Sequence, residues 1–179
     1  VVSKSPLTDR INDSLASSGF AIAGKQSGCD ALVLVGRARQ NSVLLLDDGR
    51  FELLPAQGLA GQGTNQTERM LRKQLGNDWQ IASIGPAGEN LVRYATISHA
   101  GRHAGRGGAG TVLGAKNLKA IAIRGSQRVT WADGDGLNAY AKDLALRSVG
   151  PETAKYRELG TASNVLAFNR LHALPTRNF

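Results

Sequence analysis

Cysteine is almost missing from this sequence: Cys29 is the single one in 179 residues. One thiol excludes an internal disulfide and any metal site built from several cysteines. It also fits a reducing compartment, so a cytoplasmic protein is expected. A lone cysteine usually packs as a small hydrophobe, the expectation for Cys29. Long apolar runs are missing as well. None approaches the roughly 20 residues of a membrane-crossing helix, so no membrane partner is expected. No basic stretch followed by an apolar one marks a signal peptide, and Val1 stands where an initiator Met would, so upstream sequence is expected. Aromatics are 5% of the chain, with none between Tyr94 and Trp131. Acid is absent over a long window, for no Asp or Glu occurs between Glu89 and Asp133.

What fills that window is base and glycine. Arg93, Arg102, Arg106, Lys116, Lys119, Arg124 and Arg128 carry most of a net charge of +8. Charge concentrated in this way predicts an anionic partner, or else a solvated basic face. Glycine is frequent at 22 residues, and GRHAGRGGAGTVLGAKNLK (101–119) holds six of them. The apolar content of 41% and the length suit one domain, or one and a fraction, with a real core.

The pattern along the chain predicts an α+β fold. DALVLVG (30–36) reads as a buried strand. VLLLDDGRFELL (43–54) reads as a hairpin about Asp47-Asp48-Gly49. TNQTERMLRKQLG (64–76) has a capping Thr64, one apolar face and a terminating Gly76, which predicts a helix. IASIG (81–85) and NLVRYATIS (90–98) read as strands flanking a turn at Pro86-Ala87-Gly88. TVLGAKNLK predicts a short helix, and KAIAIRG (119–125) and RVTWAD (128–133) read as extended. From Asp135 onward LNAYAKDLALRSV, PETAKYRELG and TASNVLAFNRLHA favour helices. The domains expected are therefore a strand-rich part, 1–133, and a helical segment, 134–179. SSGFAIAGKQSGCDALVLVG (17–36) and GGAGTVLGAKNLKAIAIRG (107–125) share an order of small residues, Gly, Lys and strand, which two related β-α-β units would explain.

A glycine-rich loop exposes backbone N–H groups, and a helix behind it adds a positive dipole end, so the segment suits a phosphate-like anion. Named nucleotide motifs fit poorly. Gly105-Arg-Gly107-Gly-Ala-Gly110 follows no strand directly and lacks a later acid for a ribose, and Lys116 is followed by Asn117 rather than Ser or Thr. Scarce aromatics argue against single-stranded nucleic acid. A tight turn packed between strands remains the plain alternative. Reactive groupings are thin: His99, His103 and His172 have no ligand spacing with acids, and no carboxylate pair or serine elbow stands out. No catalytic or metal-ligating residue is assigned.

The words SKSPLT (3–8), GCDALVLVGRA (28–38), IASIGPAGENLVRYATI (81–97) and AGRGGAGTVLGAKNLKAIAIRG (104–125) occur in the same order in one family. The chain resembles the N-terminal domain of tungsten-containing aldehyde ferredoxin oxidoreductases, and YRELGTASNVLAFNRLHALPTRNF (156–179) resembles the connection leaving it. The resemblance implies a domain supporting two pterin-dithiolenes that hold tungsten or molybdenum, with a bridging magnesium on the pterin phosphates. It implies an enzyme that oxidises aldehydes to carboxylic acids and passes electrons through a 4Fe–4S cluster to ferredoxin. It places pterin contacts at His103, Ala104, Gly105, Arg106, Gly107 and Gly108, with magnesium-side carbonyls around His103 and Ala104. A second contact, Asn-Ser-Gly-Gly in the family, falls on Leu15, Ala16, Ser17 and Ser18 and departs from the pattern. The cluster cysteines and acid–base residues belong to later domains, so this chain is expected to be a fragment that is not active alone. Its expected partners are those domains and ferredoxin, with homo-oligomerisation open. The alternative is a decayed, non-catalytic relative serving as an interaction module or as an anion- or nucleic-acid-binding module.

Overall fold

A computed structural model describes residues 1–174. Its elements are β1 (Val2–Lys4), β2 (Ile11–Asp13), α1 (Gly19–Gln26), β3 (Ser42–Asp47), β4 (Arg50–Pro55), α2 (Thr64–Leu75), β5 (Gln80–Ser83) and α3 (Pro86–Glu89). β6 (Ile97–His99), β7 (Arg102–Ala104), α4 (Ala109–Ala115) and β8 (Leu118–Arg124) complete the strand-rich part. α5 (Gly134–Arg147), α6 (Pro151–Leu159) and α7 (Val165–Arg170) come after it. The fold is α+β, with two units divided between Val129 and Thr130. Residues 175–179, which end the stretch of resemblance, lie outside the described residues.

The first unit is built on a mixed sheet in the order β4-β3-β8-β5-β6-β7, with β1 and β2 as a separate antiparallel pair. β3 and β8 run parallel at its centre, and the other pairs in the sheet are antiparallel. Side chains alternate across the central strands, and both faces are buried. Leu44, Leu46, Ile121 and Ile123 meet Ala23 of α1 and Leu113 of α4 on one face. Val43, Leu45, Ala120 and Ala122 meet Leu71 of α2, Trp79 and Leu59 on the other. The Asp48-Gly49 turn joining β3 and β4 takes φ of 44° and 82°, the pair of left-handed residues that a tight two-residue hairpin turn requires.

Several local expectations are corrected. Residues 30–36 form no strand: Leu32 and Leu34 pack on the core, but Val33 and Val35 are 77% and 89% exposed. They line an apolar hollow of about 380 Å³ beside Phe51 and Leu53 of the edge strand β4. An apolar run reads as buried on both sides, but here only its alternate residues find a core. α1 and α4 therefore match as helices but lead to different structures, an unpaired stretch after α1 and the central β8 after α4. The turn expected at Pro86-Ala87-Gly88 is a helical one, Pro86–Glu89, with Pro at its start. Residues 90–96 are not a strand, because the backbone of Ala95 instead accepts from Gly110 N at 2.9 Å. Gly63, not Thr64, caps α2, and Gly76 ends it at φ 109°. RVTWAD pairs with no strand. Cys29 is half-buried against the core.

The second unit carries α5, whose N-cap Asp133 accepts from Gly136 N at 2.8 Å, then α6 and α7. These helices bury no residue, and Tyr140, Leu146, Leu159 and Leu166 are exposed. An α-helix with a free apolar face needs something to cover it.

Candidate phosphate-binding site

β6 and β7 are joined by the two-residue turn Ala100-Gly101, which sets Ser98 opposite His103 and His99 opposite Arg102. β7 delivers the chain to the turn Gly105–Gly108 at the start of α4, so the glycine segment does follow a strand directly, contrary to the expectation from sequence. Gly107 and Gly108 both take left-handed φ, 72° and 75°. Left-handed backbone in a turn can gather N–H groups into an anion-binding concavity, although in the first turn of α4 Gly110 N is already taken by Ala95 O. A side chain at either glycine is excluded by contact. A Cβ at Gly107 would lie 2.2 Å from Asn12 Nδ2, and one at Gly108 would lie 1.9 Å from the Arg93 carbonyl oxygen. Gly114, farther along α4, is likewise required, since its Cβ would meet Gly88 O at 1.9 Å. Close packing alone thus requires these glycines, as the plain reading of a tight turn expects.

The turn is anchored from the N-terminal segment. Arg106 N donates to Ser14 Oγ at 3.0 Å, and Asn12 Nδ2 donates to Arg106 O at 3.1 Å. The Arg106 guanidinium reaches Asp13 at 3.4 Å, an exposed pair of little energetic weight. Ser17 and Ser18 come soon after Ser14 in the chain. Ser18 caps α1 with extended backbone, its side chain makes no capping bond, and the first turn of α1 carries no acid. Ala104 is buried, Gly105 and Gly107 are half-buried, and Arg106 and His103 are exposed.

The acid-free window is acid-free only along the chain. Lys119 is 0% exposed; its Nζ lies 3.0 Å from Glu89 Oε1 and donates to Gln62 O at 2.7 Å. Glu89 Oε2 accepts from Gly61 N at 2.9 Å, so this buried pair fastens the 57–63 loop to β8. Arg124 Nε donates to Asp47 Oδ1 at 2.9 Å, and Arg106 faces Asp13. Three of the seven window charges are thereby answered inside the protein. Arg93, Arg102, Lys116 and Arg128 remain outside ion pairs among the described residues. His99, 4% exposed, lies with Nε2 2.9 Å from Gln80 Oε1 and with Nδ1 unpartnered. Burial lowers its pKa, opposed by the nearby Glu68 carboxylate and aided by Arg72, which favours the neutral ring. What sequence reading missed is the Ser98–His103 pair, Oγ to Nδ1 at 2.7 Å. No group of three metal-binding side chains occurs among the described residues.

The aldehyde ferredoxin oxidoreductase N-terminal domain matches residues 1–125, and the chain belongs to this family. The tungsten-containing aldehyde ferredoxin oxidoreductase of Pyrococcus horikoshii is 41% identical over 185 residues, all of this chain and 30% of that protein. The Pyrococcus furiosus enzyme of the same description is 39% identical over 183 residues, again all of this chain and 30% of that protein. A more distant relative, the aliphatic sulfonate oxidoreductase WOR-like subunit of Pyrococcus furiosus, is 31% identical over 70% of this chain and 22% of its own length. Among solved structures, the active site complex BamBC of benzoyl coenzyme A reductase with 1,5 dienoyl-CoA superposes with a TM-score of 0.78 at 28% identity. It covers 88% of this chain and 24% of its own. The chain thus spans about a third of the first relatives it matches.

Proposed function

We propose that this chain is the pterin-supporting part of a tungsten- or molybdenum-dependent enzyme that oxidises aldehydes to carboxylic acids and delivers electrons to ferredoxin. The observation that carries the reading is the Gly107-Gly108 turn, left-handed at both residues, in a chain of this family. Two left-handed glycines ahead of a helix, with the exposed Arg106 between them and Gly105, suit a pterin phosphate. His103 to Gly108 would hold one pterin phosphate, with the carbonyls of His103 and Ala104 on the side of a bridging magnesium. Ser17 and Ser18 would meet the other through hydroxyls and the open first turn of α1. When bound, the metal–pterin group supplies the redox chemistry, and this chain holds and orients it. With one cysteine, a 4Fe–4S cluster has its ligands elsewhere in the enzyme. A cytoplasmic location accompanies this reading, and among the described residues no helix is long and apolar enough to cross a membrane.

The test is metal and pterin analysis of the full-length parent protein after growth on tungstate and on molybdate. Pterin with either metal is expected; absence of both metals under both conditions would sink the proposal. A second reading rests on Leu15 to Ser18, where the family pattern has Asn-Ser-Gly-Gly: a non-catalytic relative that retains the fold. It predicts a full-length protein without pterin, and coding sequence downstream without the cluster cysteines.

A further inference from the structure

Ser98 and His103 face each other across the β6–β7 ladder, with Ser98 Oγ 2.7 Å from His103 Nδ1. Either group can donate in such a pair, and burial decides which one does. Ser98 is 6% exposed, and among the described residues its hydroxyl has no other hydrogen-bond partner. If the hydroxyl accepted from Nδ1, its own O–H would be buried without an acceptor, which folded proteins avoid. The hydroxyl therefore donates to Nδ1, and a ring that accepts at Nδ1 carries its proton on Nε2. His103 is exposed, so this Nε2–H is free to meet a ligand one residue before the turn. Its neighbour His99 shows the contrast. There Nε2 faces the Gln80 carbonyl oxygen inside the protein, and that ring offers nothing outward.

We propose that the His103 side chain is a hydrogen-bond donor to the phosphate group held at the Ala104–Gly108 turn, and that Ser98 is the positioning residue that fixes its tautomer. The inference rests on the phosphate-holding role proposed for the turn and adds to it a side-chain contact where that role involved only backbone. An N–H bond to a phosphate oxygen is charge-assisted, and a ring already held at one nitrogen loses little freedom in making it.

The wild-type chain is titrated with inorganic pyrophosphate at one neutral pH and followed by NMR of the imidazole nitrogens and the backbone amides. Before any addition, His103 should show an unprotonated, hydrogen-bonded Nδ1 and a protonated Nε2. Pyrophosphate should then move the His103 Nε2–H signal together with the Gly107 and Gly108 amides. His103→Ala should weaken pyrophosphate about tenfold, the loss of one hydrogen bond to a charged acceptor, and Ser98→Ala about threefold with a mixture of His103 tautomers. Shifts at Gly107 and Gly108 with a stationary His103 ring would overturn this proposal and leave the phosphate reading standing. No shift at either place would overturn both. A wild-type ring protonated at Nδ1 would overturn the role given to Ser98.

Discussion

Gly101 and Gly108 share one backbone conformation and differ in surroundings, so alanine at each separates conformational cost from crowding. Their φ values are 74° and 75°. A Cβ at Gly101 would meet nothing within 4 Å, whereas one at Gly108 would stand 1.9 Å from Arg93 O and 3.0 Å from Pro6 Cγ. Left-handed backbone costs an alanine about 1–2 kcal/mol, and Gly101→Ala should lose no more than that. Gly108→Ala must also push a backbone carbonyl aside by more than a bond's relaxation allows, which adds about 1–3 kcal/mol, as other overpacking does. A total of about 2–5 kcal/mol is expected for Gly108→Ala. Urea unfolding curves of the two variants against wild type measure the gap, provided the slopes agree. Equal destabilisation would refute the claim that Gly108 is fixed by the Arg93 carbonyl, and would return the turn to an ordinary loop.

Lys119→Met strands Glu89 with its charge buried and unpaired, and should cost about 3–5 kcal/mol in the same assay. Adding Glu89→Gln, which keeps an acceptor for Gly61 N, should recover part of that loss; strict additivity of the two would count against a coupled pair. Because burial lowers the His99 pKa below its unfolded value of about 6.5, the unfolded state binds the extra proton, and stability should fall as pH drops below that value. His99→Gln should flatten this part of the pH–stability profile relative to wild type, and an unchanged slope would remove His99 as its source. Among the described residues four of the seven window cations are outside ion pairs, so oligonucleotide binding through this window should show a log–log salt slope no steeper than about 4, at ~0.9 per contact. A steeper slope in filter-binding or anisotropy titrations would reopen a nucleic-acid role.

Much of the frame was legible because local chemistry specified it. Asp48-Gly49 can hardly do other than turn, Gly76 stops α2, and the alternating apolar β3 and β8 become central strands. The helices after Asp133 were equally plain in their spacing. What escaped was set by partners far away in sequence. Lys119 and Arg124 looked like anion-binding charges until Glu89 and Asp47 came beside them. Residues 30–36 looked buried because apolarity says that a face will be covered, not what covers it. The β6–β7 turn escaped for a subtler reason: Ala100 adopts φ 47° without being Gly, Asn or Asp, so no turn signal announced it. The Ser98–His103 pair depends on that turn and was invisible with it. At the glycine segment, the packing of Gly108 against Arg93 and of Gly114 against Gly88 required coordinates.

The place of β8 has a consequence for how the protein comes off the ribosome. β4-β3 on one side and β5-β6-β7 on the other are each joined by neighbours in sequence, yet they touch only through β8, the last strand made. Until residue 124 emerges, two half-sheets wait with unpaired edges, one of them ending in the strand that will take a parallel partner. Such long-range closure is slow, and the waiting edges are the ones that nascent chains misuse by pairing with each other. A stop codon just before Leu118 would therefore yield no smaller version of this domain, only a hairpin and a three-stranded piece with no strand to join them.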